Sequence, residues 1–379
     1  MSGTPRFIDI HLLQTLPYSN INRDDLGSPK TVVYGGASRT RVSSQSWKRA
    51  VRLAVERSLG DPAVRTRRVP EQVAQRLTRR GWHAEAAELA GQQIVASVGK
   101  SGLKLDDGMT SVLLYLPASA LDGLADLADE HRAEIEAEMG KKKPPAVLPP
   151  AKVAAILSAR NGVINLFGRM LAELPGAEVD GVVQVAHAFT THATNTEVDF
   201  FTAVDDLNPD DMRGSGHMNS AEFASGVFYR YASVDVADLL ANLGGDTAMA
   251  TELTREFLTA FIAALPTGKQ NSTAAYTIPD LAYVAVRSDR PVSLAPAFEA
   301  PVRVTGEYGF AALSRDDLAD YAARLHGLWG TEGIVRHGYA AIDEVKTIDQ
   351  DASALGKREK SFAALISSVV TAAYPGAGA

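Results

Sequence analysis

The chain has 379 residues, 46% hydrophobic and 22% charged, so it is too long for a minimal module and too apolar for a disordered chain. It has no cysteine, which excludes a disulfide framework, cysteine-ligated zinc or iron–sulfur sites and thiol nucleophiles, and leaves any metal to His, Asp and Glu. Net charge is −7 but unevenly spread: residues 23–52 carry seven basic side chains against Asp24 and Asp25, while residues 106–138 carry nine carboxylates against Arg132 alone. An acidic protein with a local basic strip suggests a defined polyanion track. No run of about 18 uncharged apolar residues occurs, and residues 1–6 lack the apolar core of a signal peptide, so a cytoplasmic protein with no membrane partner is expected.

Residues 7–13 alternate Ile8, Ile10 and Leu12 with Asp9 and His11, the period of a half-buried strand. After a polar loop, Ser43-Ser44-Gln45-Ser46 reads as a helix N-cap, and Trp47, Val51, Ala54 and Val55 form the inward stripe of the helix that follows. Lys48, Arg49 and Arg52 are left off that stripe, near a helix start whose free N–H groups favour an anion. From 59 to 159 the composition turns to Ala, Glu, Leu and Arg in helical pattern, broken by Gly-Lys-Lys-Lys-Pro-Pro at 140–145; this reads as a helical insertion. Strand character returns at 181–190 and 226–234. Between them, 191–225 is a polar, hairpin-like excursion, apolar only at Phe200, Phe201, Val204, Leu207 and Met218. A helix at 246–265 and a strand at 281–286 follow, then three helical stretches at 316–329, 337–346 and 351–373. The order strand, helix, strand, strand, helix, strand is the split βαβ pattern of ferredoxin-like and RNA-recognition folds, an α+β class, with insertions after the first helix and between the central strands.

Nucleotide-hydrolysing motifs are missing: Gly268-Lys269 runs into Gln270 without the upstream glycine of a P-loop, and Gly35-Gly36 has no further spaced glycine. His187 and His192, five apart on a strand, fall on opposite faces and do not suit a shared metal. His217, among glycines of the excursion, reads as exposed. Asp24-Asp25 could serve metal-assisted phosphodiester cleavage, but adjacent carboxylates beside Arg23 more often position a loop. The positive charges recur on both loop and helix, and Ser43, Ser44 and Gln45 add the neutral donors commonly used for backbone phosphates. Tyr229 and Tyr231 could stack bases on a sheet face or simply fill the core.

Several segments resemble the CasC backbone subunits of the type I-E CRISPR surveillance complex, Cascade. They include Asn22-Arg23-Asp24-Asp25, Arg41-Val42-Ser43-Ser44-Gln45-Ser46-Trp47-Lys48-Arg49-Ala50, Gly168-Arg169-Met170, Ala186-His187-Ala188-Phe189-Thr190-Thr191-His192, Val198-Asp199-Phe200-Phe201 and Gly226-Val227-Phe228-Tyr229-Arg230-Tyr231-Ala232. The resemblance spans most of the chain and implies a hand-like, non-enzymatic protein with no cofactor. Its RNA-recognition-type palm would comprise 1–58, 161–190 and 226–379 with the C-terminal helices, its helical fingers 59–160 and its β-hairpin thumb 191–225. It implies as partners crRNA, target DNA, other copies of the chain and other Cascade subunits. Position by position, it places Arg23, Lys30, Ser43, Gln45, Lys48, Arg49 and Arg52 at the guide-RNA backbone, and Met170, Phe200, Phe201 and Met218 where the guide is kinked and one base displaced. Phe200 stands where the family usually has Trp, and Met218 where it usually has Leu. Lys141, Lys142 and Lys143 correspond to target-DNA contacts of the fingers, here flanked by prolines. Two alternatives stand beside this reading: a metal-dependent CRISPR ribonuclease using Asp24 or Asp25, and a stand-alone single-strand RNA-binding protein.

Overall fold

The computed structural model describes residues 3–98, 103–204, 215–304, 309–345 and 352–376, with backbone alone at 203–204, 215–218 and 352–353. Two compact units divide the chain, Met1–Ala54 with Val183–Ala379, and Val55–Val182. In chain order the first unit supplies β1 (Phe7–Ser19), β2 (Thr31–Tyr34), β3 (Ala37–Val42) and the start of α1 (Ser44–Leu59). The second then supplies β4 (Ala63–Thr66), α2 (Val69–Arg79), α3 (Ala84–Ser97), β5 (Leu105–Asp106), β6 (Met109–Thr110), β7 (Leu114–Pro117), α4 (Ala118–Glu130), α5 (Arg132–Glu136), α6 (Pro150–Leu157) and α7 (Gly162–Phe167). The first unit resumes with β8 (Val183–Val185), β9 (Ala188–Thr190), β10 (Glu197–Val204), β11 (Ser215–Asp235), α8 (Val236–Asn242), α9 (Thr247–Ala263), α10 (Gln270–Thr273), β12 (Leu281–Arg287), α11 (Phe310–Trp329), β13 (Ile334–Ala341), β14 (Lys357–Arg358) and α12 (Phe362–Ala373).

A ten-stranded mixed sheet among the described residues runs β14-β13-β12-β1-β11-β9-β3-β2, with β8 and β10 also paired to β11. Every pair is antiparallel except β13 with β14. The alternation of β1 predicts one wet face, yet Asp9 and His11 are as buried as Ile8, Ile10 and Leu12. Both faces are covered. Leu13, Tyr229, Tyr283 and Tyr339 pack with Leu318 and Ala322 of α11, while α12 lies on β12 and β13 and against α9. Buried Asp9 on the α11 side is held by two donors. Tyr231 donates its hydroxyl to Asp9 Oδ1 at 2.9 Å, and Val292 N–H reaches Asp9 Oδ2 at 2.8 Å.

Helix boundaries follow local chemistry. Asp246 and Ser361 cap α9 and α12 by accepting from Met249 and Ala364 N–H at 3.0 and 3.1 Å. Asp235 ends β11 and caps α8, a helix that the periodicity of the sequence does not reveal. The predicted helix at 337–346 is wrong: Tyr339 pairs with Tyr283 and Gly338 with Val284 in β13, so cross-strand pairing overrides the helix preference of Ala340 and Ala341. The predicted helix at 351–373 is helical in α12 only, after a 3₁₀ turn at Ala352–Leu355 and the edge strand β14. No helix among the described residues is long and apolar enough to cross a membrane.

The second unit is mainly helical, as its composition suggests, with the antiparallel pair β4–β7 and the small hairpin β5–β6 added. Val73 and Leu77 of α2, Ala90 and Ile94 of α3, and Leu121 and Leu124 of α4 share its core. A Cβ at Gly91 would stand 2.3 Å from Pro70 O, so glycine is what lets α3 approach α2 this closely.

Candidate nucleic-acid interface

The loop between β1 and β2 is tied at several points. Asp24 Oδ1 accepts from Leu26 and Ser28 N–H, both at 2.9 Å, and Asn20 donates to Gly27 O at 2.8 Å. Asn22 joins this loop to the next helix: its Oδ1 accepts from Ser43 N–H at 2.8 Å, and its carbonyl accepts from Lys30 N–H at 3.1 Å. The start of α1 is held twice more, by Ser43 Oγ accepting from Ser46 N–H at 3.4 Å and by His187 Nδ1 accepting from Ser44 N–H at 2.9 Å. On this junction Arg23, Gln45 and Arg49 are exposed and Lys30, Lys48 and Arg52 half-buried, while Ser43 is buried as the cap. Partial desolvation lowers the pKa of Lys48.

Arg39 leaves the basic strip. It is fully buried and donates to Thr190 O at 2.9 Å, Phe298 O at 3.1 Å and Glu299 O at 3.3 Å, a cross-link between strands and a distant segment. Arg230 is the other cation whose place the sequence conceals. Its guanidinium sits 3.7 Å from the Trp47 ring centroid and 4.7 Å from that of Phe261, donates to Gln14 Oε1 at 2.6 Å, and also bonds Phe261 O. Burial pulls its pKa down to about 9, still well above neutrality, so it stays charged and grips the inward face of α1. Trp47 was legible as core; its arginine partner was not, because alternation along β11 gives a lone charge no distinguishing mark.

Tyr229 and Tyr231 belong to the core and are not a base-stacking platform. Tyr229 is 1% exposed, accepts from Leu294 N–H at 2.9 Å and lies 2.8 Å from His11 Nδ1; α11 and the chain at 292–298 cover that face. His192 Nε2 accepts from Val227 N–H at 3.2 Å, so its Nδ1 carries the proton and donates to Ala193 O at 2.9 Å, far from the task of His187. Among the described residues no group of three or more His, Asp or Glu could hold a metal ion.

The apolar candidates are conspicuously uncovered. Met170 is 90% exposed, Phe200 73% and Phe201 45%. Phe200 and Phe201 lie in the two-stranded ribbon β10–β11, opposite Ser220 and Asn219, and as neighbours on a strand they project from opposite faces. Neither ring is buried in the core. Met218 pairs with Thr202, but its side chain, like Leu207 and the rest of 205–214, lies outside the described residues. Met170 follows a rigid base: Gly168 has φ +79° and a Cβ there would meet Gly181 N at 2.6 Å, while the buried Arg169 guanidinium donates at 2.8 Å to the carbonyls of Ser158, Ala159 and Ala177. Lys141, Lys142 and Lys143 are exposed in the loop after α5, and Lys141 Nζ pairs with Glu138 at 2.6 Å.

Fold and surface together define an α+β protein with a large helical insertion, a cationic loop–helix junction and a two-stranded ribbon that carries exposed aromatics. A family model described as CT1975-like protein matches residues 8–368. Two solved chains are similar over almost the whole length. One, from a structure described as "CRISPR RNA-guided surveillance complex, pre-nicking", is 52% identical, with 97% of this chain and 100% of that chain covered and a TM-score of 0.90. The other, from a "CRISPR RNA-guided surveillance complex", is 46% identical, with 97% and 99% covered and a TM-score of 0.79. No curated protein matches. The chain belongs to the CT1975-like family, and the resemblance to CasC backbone subunits drawn from its sequence is borne out.

Proposed function

We propose that this chain is a crRNA-binding backbone subunit of a type I-E CRISPR surveillance complex, copies of which line up along the guide spacer and support its hybridisation to target DNA. One observation carries the reading: 52% identity and a TM-score of 0.90, across 97% of the chain, to a chain of an RNA-guided surveillance complex. The strand order β12–β1–β11–β8/β9, with α1 and α9 as its crossing helices, supports an RNA-recognition-type palm from 1–58, 161–190 and 226–379. Residues 59–160 are then fingers and 191–225 a thumb. Arg23, Lys30, Gln45, Lys48, Arg49 and Arg52 hold guide phosphates in register from the junction that Ser43 caps, leaving sequence reading to base pairing. Exposed Met170, Phe200 and Phe201, with Met218, supply the apolar wedge at the displaced base. Lys141, Lys142 and Lys143 attract target DNA.

The role is non-enzymatic and cytoplasmic. Asp24 is engaged in closing its own loop, which supports a positioning role over metal-assisted cleavage. The test is to purify the full chain with its co-expressed partners and size the nucleic acid that comes with it. Discrete guide-sized RNA, uncut in magnesium, is the expected result. A nucleic-acid-free preparation would refute the reading, and magnesium-dependent cutting abolished by Asp25→Ala would hand it to the ribonuclease.

A further inference from the structure

The Gly268-Lys269-Gln270 sequence fails as a nucleotide-binding loop, yet its conformation is specific. Lys269 and Ala274 both take left-handed backbone, at φ +52° and +46°, and bracket the one-turn helix α10. Among the described residues only Asp107 is another non-glycine there. Such strain persists only where surroundings over-determine it. Here the Lys269 carbonyl accepts from Ser272 and Thr273 N–H, both at 3.1 Å, and from the hydroxyls of Ser272 at 3.0 Å and Thr273 at 2.9 Å. The turn is closed by its own backbone and hydroxyls, while the side chains of Lys269, Gln270 and Asn271 make no hydrogen bond or ion pair with a described residue. An open cleft is lined entirely by polar residues: Thr267, Lys269, Gln270, Asn271 and Ser272.

Gly268 fixes where this cleft sits. A Cβ there would stand 2.6 Å from Ile21 O and 3.0 Å from Asn20 O, so the turn is pressed against the end of β1 where the basic loop begins. The next residue, Asn22, ties that loop to Lys30 and Ser43. The turn is thus joined through three consecutive residues to the junction that carries Arg23, Lys30, Lys48 and Arg49.

We infer that the Thr267–Ser272 turn is a further RNA-phosphate contact that lengthens the cationic junction, with Lys269 as its charge and Gln270 and Asn271 as neutral donors. A cation with flexible reach beside two unpartnered amides suits a backbone phosphate and offers no base-edge code. The inference rests on the RNA-binding reading above.

The test uses the full chain and fluorescein-labelled oligouridylate, titrated at several salt concentrations. Lys269→Gly removes the charge while relieving the left-handed backbone. It should bind roughly tenfold more weakly, flatten the log K against log salt slope by about 0.7, and unfold at a higher temperature than the parent. Lys269→Arg should retain the parent slope. If Lys48→Ala with Arg49→Ala weakens binding but Lys269→Gly does not, this inference falls and the RNA-binding reading stands. If neither weakens it, the RNA-binding reading falls as well. If Lys269→Gly lowers both binding and unfolding temperature, the residue is a fold element and the inference is overturned.

Discussion

Arg169 offers the sharpest test of how the second unit presents Met170. Arg169 is 4% exposed, and its guanidinium spreads over five carbonyls: Ser158, Ala159 and Ala177 at 2.8 Å, Tyr115 at 3.3 Å and Leu157 at 3.5 Å. Arg169→Met keeps an aliphatic stem but strips a donor from each short contact. A buried acceptor left unpaired costs about 1–3 kcal/mol. Three such acceptors, partly rescued by water, set the loss at about 3–5 kcal/mol, a large share of the 5–15 kcal/mol typical of a whole domain. Arg169→Lys keeps the charge but not the planar fork, and should still forfeit at least half of that. Urea unfolding followed by circular dichroism measures both. Arg169→Lys within about 0.5 kcal/mol of the parent would refute the reasoning, because charge and not geometry would then be holding the segment.

Reversing Lys48 and Arg49 to Glu should weaken RNA binding irrespective of sequence and flatten its salt slope by about 0.7 for each phosphate no longer neutralised; an unchanged slope would remove α1 from the interface. Burial drives the His11 pKa from 6.5 to about 3, so the stability of the neutral ring is fully present above pH 6.5 and is lost as pH falls toward 3, a span worth about 5 kcal/mol. His11→Phe, stacked between Tyr231 and Tyr283, should flatten that acid limb in urea midpoints measured against pH. Asp9, pushed up to about 6, contributes stability below pH 3.8 that is lost as pH rises through 6, so Asp9→Asn should steepen the same limb. If the wedge displaces a guide base at each subunit, guide bases in an assembled complex should be hyper-reactive to base-flipping probes at regular intervals; Phe200→Ser with Phe201→Ser should abolish that pattern while leaving the unfolding free energy within about 0.5 kcal/mol.

What the sequence disclosed was set by the range of the interactions. In α1, α9 and β12 the apolar period and the cap lie within a few residues of each other, and these elements stand close to where periodicity puts them. The short hairpin β2–β3 hid inside a polar loop because Val32 and Val33 are not buried and left no apolar face to read. In β13 the local preference of two alanines pointed the wrong way, and only the partner strand β12, remote in the sequence, decides the matter. The cationic candidates were visible as charge but not as geometry. Arg39 and Arg230 look like any exposed cation until carbonyls from remote segments are brought to them. Lys269 passed as a failed motif because its placement depends on a glycine touching Ile21, far away in the chain.

The length of β11 carries a consequence of its own. It runs unbroken for 21 residues, pairing first with β10 in the ribbon and then with β1 in the sheet, and the irregularity where those regions meet, between Leu16 and Ser19, falls in β1. From Asn219 to Asp235 the alternation of β11 therefore does not reset; the shift opposite Ala203 and Val204 lies before that stretch. Ser220, opposite Phe200, has the parity of Phe228 and Arg230, whereas Asn219, opposite Phe201, has that of Val227 and Tyr229. The chain counts in twos: an inserted pair of residues between Asn219 and Val227 would lengthen the ribbon and keep each aromatic on its side, whereas a single inserted residue would exchange the sides at almost the same length. Any change of ribbon length that is to keep each aromatic on its side must therefore come in even steps.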